Sequence, residues 1–172
     1  MPLHPGKVLA IVPLPVIPSE QLEEPVPVIP LLHGWVRWSL AAIAFVLVGV
    51  FTIAVSLDPY QGGEVWTDGT HQQLGLPPCN FKFLTGKPCP SCGMTTSFAL
   101  LVRGDLWSSA RANVVGTLLA LVCLAVIPWG VLCAVRGRLY LIHSIEWTLM
   151  RLVVVFLVAM LLRWAIVLWL TW

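Results

Sequence analysis

Residues 38–57 read WSLAAIAFVLVGVFTIAVSL, and residues 112–135 read ANVVGTLLALVCLAVIPWGVLCAV. Neither stretch holds a charged side chain. Each is long enough to supply the roughly 20 apolar residues with which an α-helix crosses about 30 Å of hydrocarbon. The two stretches therefore predict transmembrane helices over about 38–57 and 113–135.

A third apolar stretch, from residue 145 onward, includes charged residues, namely Glu146, Arg151 and Arg163. A span could occupy about 145–162 or about 152–172. The second is favoured because its tryptophans would then approach the far interface, where indole rings concentrate. We predict a third span over about 150–172.

The composition agrees with a membrane protein: 58% of the 172 residues are hydrophobic and 10% are charged, far from the average of soluble domains. A net charge of +2 from scattered basic residues forms no patch with interleaved aromatic side chains, which excludes nucleic acid as a partner. Residues 1–34 hold eight of the fourteen prolines and predict a flexible tail, because frequent proline prevents a continuous helix. We predict an all-α membrane protein with a single polytopic domain over 35–172.

The basic residues near the span ends set an expected orientation. Three spans place the amino terminus on one side, and the loop 58–112 with the carboxyl terminus on the other. The amino-terminal side has more arginines close to the spans: Arg37, Arg136, Arg138 and Arg151, against Arg103 and Arg111. We expect a cytoplasmic amino terminus and a loop that faces a compartment where disulfides are permitted.

Within the loop, residues 58–78 have the composition of turns. Residues 94–103 predict a short helix that ends at Gly104. At about 1.5 Å per residue it covers half a bilayer or less, so it is re-entrant or interfacial. Asp105 stands at the N-cap position of the next segment, which is expected to run straight into the second span and to kink at Pro128.

Three functions remain open for the cysteines of this loop. In the preferred interpretation, two of Cys79, Cys89 and Cys92 form a disulfide or pack as buried thiols and staple the loop to the bilayer. In a thiol-disulfide oxidoreductase, Cys89 would attack and Cys92 would resolve. In a zinc site, His71 would complete a Cys₃His set with the three cysteines. Haem attachment is excluded, because Gly93 stands where Cys-x-x-Cys-His requires histidine.

Arg163 is the ionisable group expected well inside the third span, about 18 Å along the helix from Arg151. Charges at such depth are costly and often functional. In the preferred interpretation its guanidinium extends to the interface. Otherwise it faces the re-entrant segment and stabilises a thiolate, a carboxylate such as Asp58, or an anionic ligand.

The segments CNFKFLTGKPCPSCGMTT (79–96) and LVRGDLWSSARANVV (101–115) resemble the bacterial membrane family known as domain of unknown function 2752. The resemblance extends over about 38–172. It implies a small polytopic membrane protein, and it supplies no reaction. Taken with the arginine count, the expected location is the bacterial inner membrane, with the loop in the periplasm. The shared positions are Cys79, Phe81, Thr85, Gly86, Cys89, Pro90, Cys92, Gly93, Met94, Thr95, Gly104, Asp105, Leu106 and Asn113.

The chain departs from the family pattern at four positions, where Asn80, Ser91, Thr96 and Val114 replace proline, glycine, arginine and proline. The change at Thr96 matters most, because a cation beside the thiols would favour a reactive pair. We therefore expect a scaffold or accessory subunit rather than an enzyme. Its expected partners are the lipid bilayer and another membrane protein, and zinc is the one cofactor considered.

Overall fold

The computed structural model describes residues 32–141 and 144–170. The predicted proline-rich tail, apart from its last three residues, lies outside this part of the chain, as do His143 and Trp172. The elements in chain order are α1 (Gly34–Ser56), β1 (Tyr60–Gln61), β2 (Glu64–Val65), a 3₁₀ helix (Thr70–Leu74), α2 (Asn80–Thr85), α3 (Met94–Leu101), α4 (Leu106–Arg136) and α5 (Ile145–Leu170).

Three of the described helices are long and apolar enough to cross a membrane. They are α1, α4 and α5, with 23, 31 and 26 residues. The expected all-α fold with three spans and a short helix after the cysteines is confirmed. Each helix begins before the predicted span, because an α-helix can continue past the hydrocarbon into polar residues whose backbone stays hydrogen-bonded.

The short helix α3 packs chiefly against α4 and also against α1. One face of α3 is buried, at Thr96, Ser97, Ala99 and Leu100. Phe98 stacks on Phe51 of α1 with 5.6 Å between the ring centroids. Since eight residues span only about 12 Å, α3 is too short to cross a bilayer and is held against the bundle instead.

Helix α4 breaks at Asn113, where the backbone is extended (φ −159°, ψ 102°). The hydroxyls of Ser109 and Thr117 lie 2.7 Å apart across this break, although eight residues of straight helix would separate their backbones by about 12 Å. The segment after Asp105 leads directly into the second span within one element, as expected, but a kink at Asn113 that the sequence did not predict separates the two parts. The backbone angles at Pro128, where the kink was expected, remain helical.

The first part of the loop is more regular than its composition suggests. Two short antiparallel strands pair Tyr60 with Val65, and the 3₁₀ helix follows. Helix α2 begins directly after Cys79, in a stretch for which no helix was expected. The expectation of turns alone was wrong, because backbone pairing in a two-residue ribbon needs no periodic apolar pattern.

The turn between α3 and α4 contains two contacts that fix its path. Asp105 caps α4 as expected, since its carboxylate accepts from the backbone N–H of Ser108 at 3.0 Å. The guanidinium of Arg103 donates to the carbonyl of Ala99 in α3 at 2.9 Å and to that of Val55 in α1 at 3.0 Å. One cation thus satisfies carbonyls near the carboxyl ends of two helices.

Candidate functional site: the cysteine corner

Cys79, Cys89 and Cys92, with the turn that joins the last two, form a compact unit that we call the cysteine corner. Cys79 is the N-cap residue of α2. Cys89 and Cys92 belong to a tight turn in which the N–H of Cys92 donates to the carbonyl of Cys89 at 3.1 Å. Helix α2 and the following residues fold back, and this return brings Cys79 next to the other two.

The three sulfur atoms lie within 4.8 Å of one another. The Sγ atoms of Cys89 and Cys92 are 3.1 Å apart, and the backbone N–H of Cys89 points to the Cys92 sulfur at 3.2 Å. All five cysteines of the chain are free thiols. The structure therefore brings together the three loop cysteines that the sequence singled out.

Gly93 allows the cysteine corner to pack closely against the backbone of the loop and of α4. Its φ of +80° is in the left-handed region, which glycine adopts at little cost. A Cβ atom at this position would lie 2.6 Å from the carbonyl oxygen of Ala112 and 2.7 Å from that of Thr67. Only glycine fits where the loop, α3 and α4 meet.

Two spanning helices hold the corner by side-chain hydrogen bonds. The amide of Asn113 in α4 donates to the carbonyl of Cys92 at 3.1 Å, and its oxygen accepts from the N–H of Gly116 at 3.0 Å. The indole of Trp164 in α5 donates to the carbonyl of Pro88 at 2.9 Å. These bonds satisfy part-buried loop carbonyls that would otherwise lie beside apolar helices without a hydrogen-bond partner.

Arg163 also points to this region, as one of the two interpretations of the sequence had it. Its guanidinium donates to the carbonyl of Ala112, one residue before the break in α4, at 3.0 Å. It is also close enough to interact electrostatically with the sulfurs of Cys89 and Cys92. The arginine is half-buried against the corner rather than extended away from the bundle.

The environments of Cys89 and Cys92 give their thiols different acidities. Burial raises the pKa of Cys89, but hydrogen bonds from Ser91, Cys92 and Cys79 outweigh it and lower the pKa to about 7. Burial and the hydrogen bond to Cys89 raise the pKa of Cys92 to about 12. The pair therefore loses its first proton, from Cys89, near neutral pH and keeps the second, on Cys92, until the solution is strongly alkaline.

The corner lines a cavity of about 500 Å³. His71 lines this cavity, but it is not part of the cluster of sulfur atoms. Lys82 lines it too and forms an ion pair with Asp68 at 2.7 Å. Thr96, which replaces the arginine of the family pattern, shares a buried hydrogen bond with Thr70 at 3.1 Å between their hydroxyls.

Several residues of this site were missed in the sequence. Lys82 and Trp164 carry no local signal, because one lies in an unexpected helix and the other comes from a span 76 residues beyond its acceptor. Asn113 was named as a shared position without a role. Its preference for N-cap positions was an available signal, since it caps the helical turn that contains Gly116.

The comparisons with known proteins bear on this same segment. Residues 79–127 match the sequence model of a family described as "Protein of unknown function (DUF2752)". The match includes the cysteine corner, α3 and about the first two thirds of α4, and it confirms the resemblance over these residues. No curated protein and no solved structure gives a match to the chain.

Proposed function

We propose that this protein is a scaffold or accessory subunit of a membrane complex, and that it presents the cysteine corner to a partner protein at the membrane surface. The observation that carries the proposal is the attachment of the corner to α4 and α5 through Asn113 and Trp164. A loop tied in this way keeps one shape, and a preformed surface loses less entropy when a partner binds.

Helix α2 offers a surface for such a partner. Phe83 and Leu84 are each 80% exposed on it, and Phe81 packs edge-on against Trp164 with 5.9 Å between the rings. An exposed aromatic and aliphatic pair beside a rigid anchor is typical of residues that contribute to protein interfaces. The lipid headgroup region could also cover this pair, and the experiment below separates the two.

The proposed setting is the bacterial inner membrane, with the amino terminus in the cytoplasm and the corner in the periplasm. The excess of arginines on the amino-terminal side supports this orientation. The proposed division remains a proline-rich segment over 1–34 and one membrane domain over 35–172. A membrane-impermeant maleimide tests the orientation: after treatment with a reductant and a chelator, whole spheroplasts should be labelled at Cys89 and not at a cysteine introduced at Gly34.

A photo-crosslinking amino acid at Phe83 tests the scaffold role in native membranes. The same probe at Glu64, which is exposed on the β-hairpin, is the matched control. We expect one discrete protein adduct from Phe83 that also co-purifies at fixed stoichiometry, and that weakens when Asn113→Ala releases the corner. If the probes at Phe83 and at Glu64 both give adducts with lipid and none with protein, the surface of α2 contacts the bilayer and the scaffold proposal is wrong.

Thiol-disulfide exchange is a second candidate, favoured by the 3.1 Å between the sulfurs of Cys89 and Cys92. In this scheme the Cys89 thiolate attacks a disulfide of a client protein and forms a mixed disulfide. Cys92 then displaces the client, which leaves reduced while the pair is oxidised. A redox titration distinguishes the candidates, because a pair that stays reduced or stays bonded over the physiological range cannot turn over.

A further inference from the structure

The cysteine corner has a feature that neither a scaffold nor a two-thiol exchange requires, namely a third sulfur. Around a zinc ion with bonds of about 2.3 Å in a tetrahedral arrangement, neighbouring sulfurs lie about 3.8 Å apart. The separations in the corner, from 3.1 Å up to a limit of 4.8 Å, bracket this value. The corner therefore has about the dimensions that three thiolates around one ion require.

The three sulfurs come from two separate segments whose backbones are fixed by other contacts. Cys79 is held at the start of α2, where its carbonyl accepts from the N–H of Phe83 at 2.9 Å. The turn with Cys89 and Cys92 is held by Asn113 and Trp164. Such supporting hydrogen bonds orient ligands before an ion binds, and they raise the affinity of metal sites.

The charges around the corner complement a metal bound by thiolates. Three thiolates around Zn²⁺ leave one net negative charge, and around Cu⁺ they leave two. The ammonium of Lys82 interacts with the sulfurs of Cys79 and Cys92, and the guanidinium of Arg163 with those of Cys89 and Cys92. Asp68 neutralises part of the Lys82 charge, so the net surroundings suit a singly or doubly charged anionic centre.

We propose that Cys79, Cys89 and Cys92 together bind one thiophilic d¹⁰ ion, Zn²⁺ or Cu⁺, with the cavity on the open side of the site. Thiolate ligands select these two ions over hard cations. Binding releases the thiol protons to solvent and forms metal–sulfur bonds with no change in oxidation state. A site with three protein ligands keeps a position free for water or for a side chain of a partner.

This inference deepens the proposed function, because the ion would be the staple of the loop, but it can fail separately. It also changes the zinc hypothesis drawn from the sequence. His71 lies at the cavity but outside the sulfur cluster, so the site is assigned to the three cysteines alone.

The test is metal analysis of the full chain, purified in mild detergent after expression with zinc or with copper under reducing conditions. We expect about one ion per chain. The ion should be lost in Cys79→Ser and in Cys89→Ser and retained in Cys123→Ser, a matched change of a cysteine within α4. The metal is identified as the ion that gives the higher number of bound ions per chain, and a competition experiment between the two ions confirms the assignment.

A second measurement needs no variant and therefore does not depend on folding of the mutants. Alkylation of the unaltered protein, mapped by mass spectrometry, should be slow at Cys79, Cys89 and Cys92 and become fast after a chelator is added. Less than about one ion per three chains, together with freely alkylated cysteines or a Cys89–Cys92 disulfide, would overturn the site. That result would leave the crosslinked partner of the preceding proposal unaffected.

Discussion

The side-chain amide of Asn113 donates to the backbone carbonyl of Cys92, and the two groups are 3.1 Å apart. The same side chain caps the helix that crosses the membrane, through the N–H of Gly116. One buried residue therefore sets both the start of a span and the placement of the cysteine corner. A local change at Asn113 should affect the two together.

Asn113→Ala should destabilise the protein and loosen the corner. It leaves the buried N–H of Gly116 and the part-buried carbonyl of Cys92 without these partners, at a cost of about 1–3 kcal/mol for the buried N–H. Asn113→Ser is the matched control, because serine can still cap the helix but is too short to reach Cys92. We expect faster alkylation of Cys92 in both variants and a larger fall in melting temperature, measured in detergent, for alanine. Equal melting temperatures for both variants and the parent would contradict the capping role.

Gly93→Ala should be among the most damaging single changes in the loop. The left-handed conformation costs a non-glycine residue about 1–2 kcal/mol, and the new Cβ would also clash with the carbonyl oxygens of Ala112 and Thr67. Gly86→Ala is a suitable control, since its φ is +70° and no atom lies within 4 Å of the added Cβ. The melting temperature should fall more for Gly93→Ala, and a similar fall for both would show that close packing at Gly93 is unimportant.

The contact between α3 and α4 predicts a rescue. In Gly116→Ala, the added Cβ would lie 2.5 Å from the hydroxyl of Ser97 and 3.3 Å from the Cα of Met94. Overpacking of this kind costs about 1–3 kcal/mol. Ser97→Ala removes the closer atom, so the double variant should recover part of the loss in a thermal unfolding cycle. If the changes in unfolding free energy of the two single variants simply add in the double variant, the added Cβ does not clash with Ser97, and α3 and α4 instead move apart to accommodate it.

The acidity of Cys89 predicts a pH profile for the reduced, metal-free protein. The thiolate reacts, so alkylation should rise as the pH increases through about 7, the folded pKa. After denaturation the midpoint should move up toward about 8.5, the ordinary value for cysteine. Ser91→Ala removes a hydrogen bond that lowers the pKa and should shift the native midpoint upward. Identical profiles before and after denaturation would contradict the effect of the fold on this thiol.

Arg163→Leu should weaken the link between α5 and the corner. The carbonyl of Ala112 loses its partner at 3.0 Å, which costs about 1–3 kcal/mol if no other donor replaces it. The midpoint of Cys89 alkylation should also rise, because a neighbouring positive charge is lost. Arg163→Lys keeps the charge and separates the two effects. Unchanged thiol reactivity and unchanged melting in Arg163→Leu would leave the arginine without a role at the corner.

The three spans could be predicted because long apolar stretches leave a helix as the structure that satisfies the backbone in lipid. The cap at Asp105 could be predicted from its local chemistry alone. The convergence of Cys79 with the later pair could not, because it depends on how α2 and its following turn fold back. For the same reason Lys82 and Trp164 reach the corner through tertiary packing, which no spacing in the sequence encodes.

The bend in α4 shows a different limit. Pro128 carried the strongest local signal for a kink, yet its backbone remains helical. Asn113 lacks a comparable warning, but its side chain can replace the lost backbone bond by accepting from Gly116. The position of the break thus depends on which residue can provide hydrogen bonds to the backbone groups that lose their helical partners. At Asn113 the side chain does so for Gly116, and its contact with the carbonyl of Cys92 holds it in place.

The bridge made by Arg103 has a consequence for biosynthesis. This residue follows Val55 by 48 positions, so α1 leaves the ribosome well before the cation that later binds its terminal carbonyl. During that interval the end of α1 must rely on water or lipid headgroups for hydrogen bonds. The loop can dock on α1 only after its last turn has been made, so this contact forms after α1 has been synthesised and can form before α4 and α5 follow.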